Sequence, residues 1–307
     1  MTSAIPRIAG AGVCCLDHIV VAPRAEWGGN ARARAYYSQG GGLTGTALVA
    51  CARLGATCEI FSLLGDDYTG DQVVTGLLEE RIDTSGVARV TGGQSPVSLI
   101  HVDEDTGDRT IFHHGGAGLE GTELPDVSAI AKCGALLIDN YYPLLSTYAA
   151  KVARAHSVPV VADVTTSFKA WELLRHVDVL IAPEKFTANL GMEGDVPGAL
   201  KAIHDLGPGT AILTFGAKGY AYSGPGSEGT GKAFQVDVVD TTGAGDSFHG
   251  GFAYGLARGW DTVRSAEFAA AVAAIKCTRE GGRAGLPSFE QALAFLREKG
   301  SLDWFQV

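Results

Sequence analysis

Short runs of aliphatic and β-branched residues recur along the 307-residue chain, separated by stretches long enough for a helix. Residues 8–13 read as a first buried strand that continues past Asp17 into an alternating stretch. Residues 58–64, 135–138, 158–162, 177–181 and 211–214 are further apolar runs bounded by turn residues. Helical spacing appears at Leu48, Cys51, Ala52 and Leu54, closed by Gly55, and again at Val73, Val74, Leu77 and Leu78. Residues 265–277 and 289–299 predict two last helices. Strand-helix alternation of this kind implies a parallel sheet covered by helices on both faces. One segment departs from it. Residues 95–102 and 110–113 alternate apolar with polar positions about Asp105-Thr106-Gly107-Asp108, which predicts a hairpin with one wet face. Residues 234–239 predict a strand leading into a glycine-rich turn. With no internal repeat and no long linker, the expectation is one domain over 1–307 with a small β excursion, its strands within 14–40 and 94–114.

Composition narrows the class. Apolar residues make up 46%, and the 42 glycines are spread along the chain, as many tight βα turns would require. A formal charge of −10 argues against a nucleic-acid surface, and the small cluster Arg24, Arg32 and Arg34 reads as a solvated loop. The six cysteines form no CxxC pair, which fits reduced, buried thiols. No leader pattern and no membrane-length apolar run is present, so a soluble cytoplasmic protein with no membrane partner is expected.

Two glycine-rich motifs are decoys. Residues 226–233 nearly spell a P-loop, but Ala233 stands where a hydroxyl would hold Mg²⁺, and the stretch reads as a flexible loop. Gly10 and Gly12 hint at a dinucleotide fingerprint, but Cys15 takes the third glycine position. The segment Asp240-Thr241-Thr242-Gly243-Ala244-Gly245-Asp246 is of another grade. Its turn opens a helical pattern at Phe248, Phe252 and Leu256, so backbone N–H groups converge at the positive end of a helix dipole. An acid beside such an anion site is a poor anion ligand and a plausible base. Together they are equipment for phosphoryl transfer to a hydroxyl.

The same segment resembles the signature of the ribokinase-like (PfkB) carbohydrate kinases, and the resemblance extends along the chain. Gly41-Gly42 with Thr46, and Ala52-Arg53-Leu54-Gly55, resemble the family's N-terminal signature. Thr214, Gly216 and Gly219 resemble its nucleotide-binding turn, and Cys277 with Gly281 its adenine-pocket segment. The resemblance implies a three-layer αβα fold with a mostly parallel central sheet and a small β-sheet lid. It implies an ATP-dependent sugar kinase in which Asp246 takes the proton of a sugar CH₂OH while the N–H groups of Gly243, Ala244 and Gly245 hold the developing charge. Asp17, Gly41, Gly42 and Thr46 would meet the sugar, with Arg109, His113 and Asn140 as further contacts. Lys185 and Thr242 join the nucleotide side, and Mg²⁺ would accompany the triphosphate, with Glu184 as its carboxylate. A monovalent cation such as K⁺ near Asp240 and Thr242 is left open, and a homodimer through the lid is expected.

Departures qualify the substrate. Members of this family often carry Asn where Cys15 and Thr46 stand, and their Asn-x-x-Glu is not legible around Ala182-Pro183-Glu184-Lys185. The block over 236–287 looks like the sulfofructose kinase branch, and Asp108-Arg109-Thr110-Ile111 like ketohexokinases. No Arg or Lys flanks Asn140-Tyr141-Tyr142 to hold a sulfonate, so an uncharged ketose such as fructose is expected. The alternatives are a nucleoside kinase, a 2-keto-3-deoxygluconate kinase, or a catalytically idle sugar-binding protein.

Overall fold

The computed structural model describes residues 5–26, 28–107, 109–119, 121, 123–165 and 171–301. Strand β1 (Arg7–Ala11) opens the main sheet, and the chain then leaves it for β2 (Cys15–Ala22) and β3 (Ala35–Gly41). Helix α1 (Leu43–Arg53) returns to β4 (Thr57–Gly65), and α2 (Tyr68–Glu79) leads to the short β5 (Ile82–Asp83) and β6 (Val87–Val90). A second excursion follows, β7 (Val97–Asp103) and β8 (Arg109–His114). Regular alternation then runs through β9 (Ala135–Asp139), α3 (Pro143–Ala155), β10 (Val160–Asp163) and α4 (Trp171–Leu174). It continues with β11 (Val179–Pro183), α5 (Val196–Leu206) and β12 (Thr210–Thr214). After β13 (Tyr220–Gly224) and β14 (Ser227–Gly231) come α6 (Ala244–Ala257), α7 (Thr262–Lys276) and α8 (Phe289–Glu298).

The main sheet has the order β14-β13-β12-β11-β10-β9-β1-β4-β5, with β6 also paired to β4. Every pairing from β12 across to β5 is parallel, and only β13 runs against its neighbours β12 and β14. Its central strands are apolar at consecutive positions because both faces are covered. Ile8, Leu137, Val161, Ile181 and Ile212 pack in one core with α1, α6, α7 and α8, while Ala9, Leu136, Val160, Leu180 and Leu213 pack in the other with α3, α4 and α5. This is the expected three-layer architecture, and the parallel strands direct their carboxyl ends to one edge.

The predicted hairpin is present as β7 and β8, and Asp108, the last residue of its expected turn, lies outside the described residues. It belongs to a second sheet of order β3-β2-β7-β8. Register sorts the lid's two faces: Asp17, Ser98 and His113 align on one, and His18, Leu99 and Phe112 on the other. Strand β8 is exposed throughout, so its apolar residues enter no core.

Two expectations fail. Residues 234–239 form no strand; Val239 and Asp240 donate their N–H groups to Cys277 O instead of to a sheet ladder. The glycine-rich stretch before them is no loop, since Ser227–Gly231 is edge strand β14 paired with β13. Its glycines answer to packing, for a Cβ at Gly231 would stand 2.0 Å from the Tyr220 ring. All six cysteines are free, and among the described residues no helix is long and apolar enough to cross a membrane.

Candidate active site

Helix α6 begins where the sheet's carboxyl edge and the lid meet. Its N-cap Gly243 has φ 74° and ψ 6°, and a Cβ there would lie 2.7 Å from Gly282 O, so only glycine turns this corner. The Ala244 N–H is bonded to Thr241 O at 3.2 Å, whereas those of Gly243 and Gly245 meet no acceptor among the described residues. A Cβ at Gly245 would meet nothing within 4 Å. Alanine would stabilise that helical position by about 1 kcal/mol, so packing does not account for the glycine. Asp246 follows in the same turn, half-buried.

Burial, then the carboxylates of Asp163 and Asp17, push the Asp246 carboxyl above its ordinary range; His249 and Arg283 act against them. Asp163, buried at the end of β10, is raised in the same way by burial and by Asp139. The two acids and His249 form one cluster. His249 Nδ1 lies 3.3 Å from Asp163 Oδ2 and 2.8 Å from Gly245 O, and its Nε2 lies 3.1 Å from Ile181 O.

Towards the lid, Asp17 is buried and its carboxyl is raised, chiefly by that burial. The Cys15 thiol donates to its Oδ1 at 3.3 Å. Gly41 stands opposite on β3, where a Cβ would come within 2.2 Å of the Asp17 carboxylate. Gly42 caps α1 at φ 87°. Thr46, buried on that helix, accepts from Arg283 Nε at 3.4 Å, and Arg283 Nη2 donates to Gly41 O at 2.9 Å. His113 Nδ1 lies 3.3 Å from Ser98 Oγ, and its ring packs edge-on against Tyr141 at 5.0 Å. Arg109, at the start of β8, donates to Thr241 Oγ1 and so ties the lid to the turn before α6. Asn140 is occupied elsewhere: it accepts from Thr165 N–H at 2.9 Å and donates to Thr165 Oγ1 at 3.3 Å, bracing two strand ends.

On the other side of the α6 N-terminus is a largely apolar cavity of about 250 Å³. Thr214, Gly216, Gly219 and Cys277 line it together, with Ala244 and Gly245 at the end formed by α6. Gly281 and Thr242 are not in its wall; both N–H groups bind the Asp240 carboxylate at 2.8 Å. Although burial opposes it, those bonds and Lys276 hold Asp240 below the usual carboxylate range. Glu184 and Lys185 are exposed just beyond Pro183, which pairs with Thr214 in the sheet. Sequence reasoning did not single out Ser98, Asp163, His249 or Arg283. Asp163 carries a legible signal, since it closes a buried apolar run as Asp139 does.

The site and fold define a class of phosphotransferase, and comparison with known proteins agrees. The model of the pfkB family carbohydrate kinases matches residues 11–288. The chain is 31% identical to the ribokinase of Haemophilus influenzae over 91% of this chain and 95% of that one. It is 28% identical to the Bacillus subtilis ribokinase over 90% and 94%. A ribokinase structure from Thermotoga maritima superposes with a TM-score of 0.83 at 26% identity, covering 95% of this chain and all (100%) of that one. Arabidopsis thaliana ribokinase complexed with ribose and ATP gives 0.86 at 23% identity over 95% and 99%, a likeness of fold.

The chain belongs to the pfkB family of carbohydrate kinases. It is a phosphotransferase with an alcohol acceptor, which retires the idle sugar-binding reading. Its relatives point to the ribokinase branch and not to the sulfofructose kinase or ketohexokinase likeness of the C-terminal block and lid.

Proposed function

We propose that this kinase transfers the γ-phosphate of ATP to the primary hydroxyl of a small uncharged sugar, with ribose ahead of fructose as acceptor. One observation carries the reading: Asp246 and the free N–H groups of Gly243 and Gly245 stand where the Asp17 face of the lid meets the apolar cavity. A sugar held by Asp17 would present its CH₂OH to Asp246. The carboxylate takes the hydroxyl proton as the oxygen attacks the γ-phosphorus, ADP leaves, and the two N–H groups hold the charge that develops. The ribokinase relatives support ribose, and the complex of the Arabidopsis ribokinase supports ATP as donor. A keto-acid acceptor is disfavoured because the two cations nearest the acceptor side are engaged, Arg109 by Thr241 and Arg283 by Gly41 and Thr46.

Among the described residues no three ligating side chains gather to hold a metal alone. The residues fit a Mg²⁺ that arrives on the triphosphate: Glu184, exposed beside the Thr214 strand end, offers one carboxylate, and the ion would neutralise phosphate charge. A monovalent cation at Asp240 fits poorly. The buried Lys276 ammonium already donates to Asp240 O at 2.7 Å, and both carboxylate oxygens accept N–H groups. Pairing of two copies through the lid belongs to the same reading, since Tyr36, Leu99 and Phe112 are exposed on its outer face. ATP as donor accords with a cytoplasmic location.

The test is ADP release over a panel of D-ribose, deoxyribose, fructose, nucleosides and sugar acids. Ribose is expected to give the highest kcat/KM. Turnover confined to sugar acids or nucleosides would sink the assignment.

A further inference from the structure

His249 stands three residues beyond Asp246 on α6 and is only 5% exposed. Among the described residues its ring nitrogens face two backbone carbonyl oxygens and the Asp163 carboxyl. Nδ1 faces Gly245 O at 2.8 Å and Asp163 Oδ2 at 3.3 Å, and Nε2 faces Ile181 O at 3.1 Å. A neutral imidazole has one N–H and one lone pair. Whichever tautomer it took, it would turn a lone pair towards a carbonyl oxygen at hydrogen-bond distance. In a buried site that sets two lone pairs against each other and forfeits the ring's own hydrogen bond to that carbonyl. Only the doubly protonated ring satisfies all three neighbours.

We infer that His249 is held as an imidazolium, matched in charge by Asp163, and acts as a positioning residue that keeps Asp246 ionised for its work as base. The inference rests on the reading of Asp246 given above. Burial is the largest influence on the ring and lowers its pKa, while the two carbonyls and the Asp246 carboxylate act against it. Against that lowering stands the placement of both nitrogens, each facing a carbonyl oxygen. The neighbouring elements set the charge around the ring. From β10 comes Asp163, and from β11 only the Ile181 carbonyl. Asp139 on β9 already accepts from Val13 N, Thr44 Oγ1 and Tyr141 N. Asp17 and Arg283 act on Asp246 with opposite signs. Without the imidazolium, burial favours the neutral forms of both carboxyls, and the charge of Asp163 further disfavours an ionised Asp246. With it, both carry charge, and Asp246 can accept a proton.

The sign follows. A base with a raised pKa is active above that pKa and loses activity as pH falls through it. Removing a nearby cation raises it further. His249→Asn is therefore expected to move the acid limb of the kcat/KM profile for D-ribose upward by roughly 1 to 2 pH units, with recovery at high pH. Asp163→Asn, which removes a like charge, is expected to move it downward. A loss in His249→Asn that is equal at every pH, with the limb in place, would overturn the inference. So would NMR of the unaltered protein labelled with ¹⁵N-histidine, if at pH 7 His249 gave the resonances of a neutral tautomer; two protonated ring nitrogens are expected. The resonance readout needs no substrate and no variant. It therefore separates failure of this charge assignment from failure of the kinase reading, even if a variant does not fold.

Discussion

The two halves of the cleft are built on opposite principles. Towards the lid, the surface is made of buried polar groups held by one another: Cys15 on Asp17, Arg283 on Gly41 and Thr46, Ser98 on His113. Towards the C-terminal helices, the cavity is walled mostly by apolar side chains, alanines and valines beside the rings of Tyr220, Phe234 and Phe248, with glycines among them. A buried polar group left unpaired costs far more than a slightly misfitting methyl group, so the polar half discriminates sharply and the apolar half grips by shape. That suits a kinase whose acceptor must be recognised by its hydroxyls and whose adenine offers a flat face. Asp246 belongs to neither half and depends on both.

The strongest way to break this comparison is to remove the residue between the halves. Asp246→Asn is expected to lower kcat by roughly 10²–10⁴-fold while leaving both ligands bound, because the amide keeps the shape and loses the base. Steady-state ADP release, with calorimetric titration of ribose and of ATP, reads the two effects separately. Unchanged turnover would remove Asp246 as base.

Next in size is a change confined to the polar half. In Gly41→Ala the new Cβ would stand 2.2 Å from the Asp17 carboxylate, which must move. Since Asp17 positions the acceptor in this reading, kcat/KM for the sugar should fall roughly 10²-fold, as displacements of about 1 Å do elsewhere. The KM for ATP should hold. If both substrates suffered alike, the two halves would not be separable as argued.

How much of this was legible beforehand differs between the halves too, and for a physical reason. The central strands announce themselves because burial on both faces demands unbroken apolar runs, as at Leu136–Leu137 and Val160–Val161. The catalytic turn is legible because a glycine with φ near 74°, a helix start and an acid are neighbours in sequence. Other parts are hidden by distance or by mimicry. Ser98 reaches Asp17 only through the parallel register of β2 and β7, and Arg283 reaches Gly41 only when the C-terminal segment folds back under the lid. Asn140 shows the converse: its strand-end position was legible, but Thr165 takes its amide. The valines near 238 imitate a strand although their N–H groups have no ladder to join, and β14 conceals itself in glycines because a tyrosine ring lies across it.

The smallest expected effect sharpens the apolar half. Ala274 lines the cavity from α7 and is only half-buried, so enlarging it fills the cavity without splitting the core behind it. Leucine is larger and ranks just below alanine as a helix former, and the fold should tolerate it. What it takes is room from the nucleotide. A wall that grips by shape should respond with a KM for ATP raised roughly tenfold, near the lower bound for one unwelcome methylene in a closed pocket, because this wall can give towards solvent. The sugar KM and the pH profile should stay where they are, since no polar group near Asp17 or His249 is touched. Rate measurements at saturating ribose and varied ATP distinguish this uniform loss of binding from damage to the chemical step. A fall in kcat at saturating ATP would mean that the cavity wall also sets the turn that carries Gly245 and Asp246, and the shape-only account of this half would be wrong.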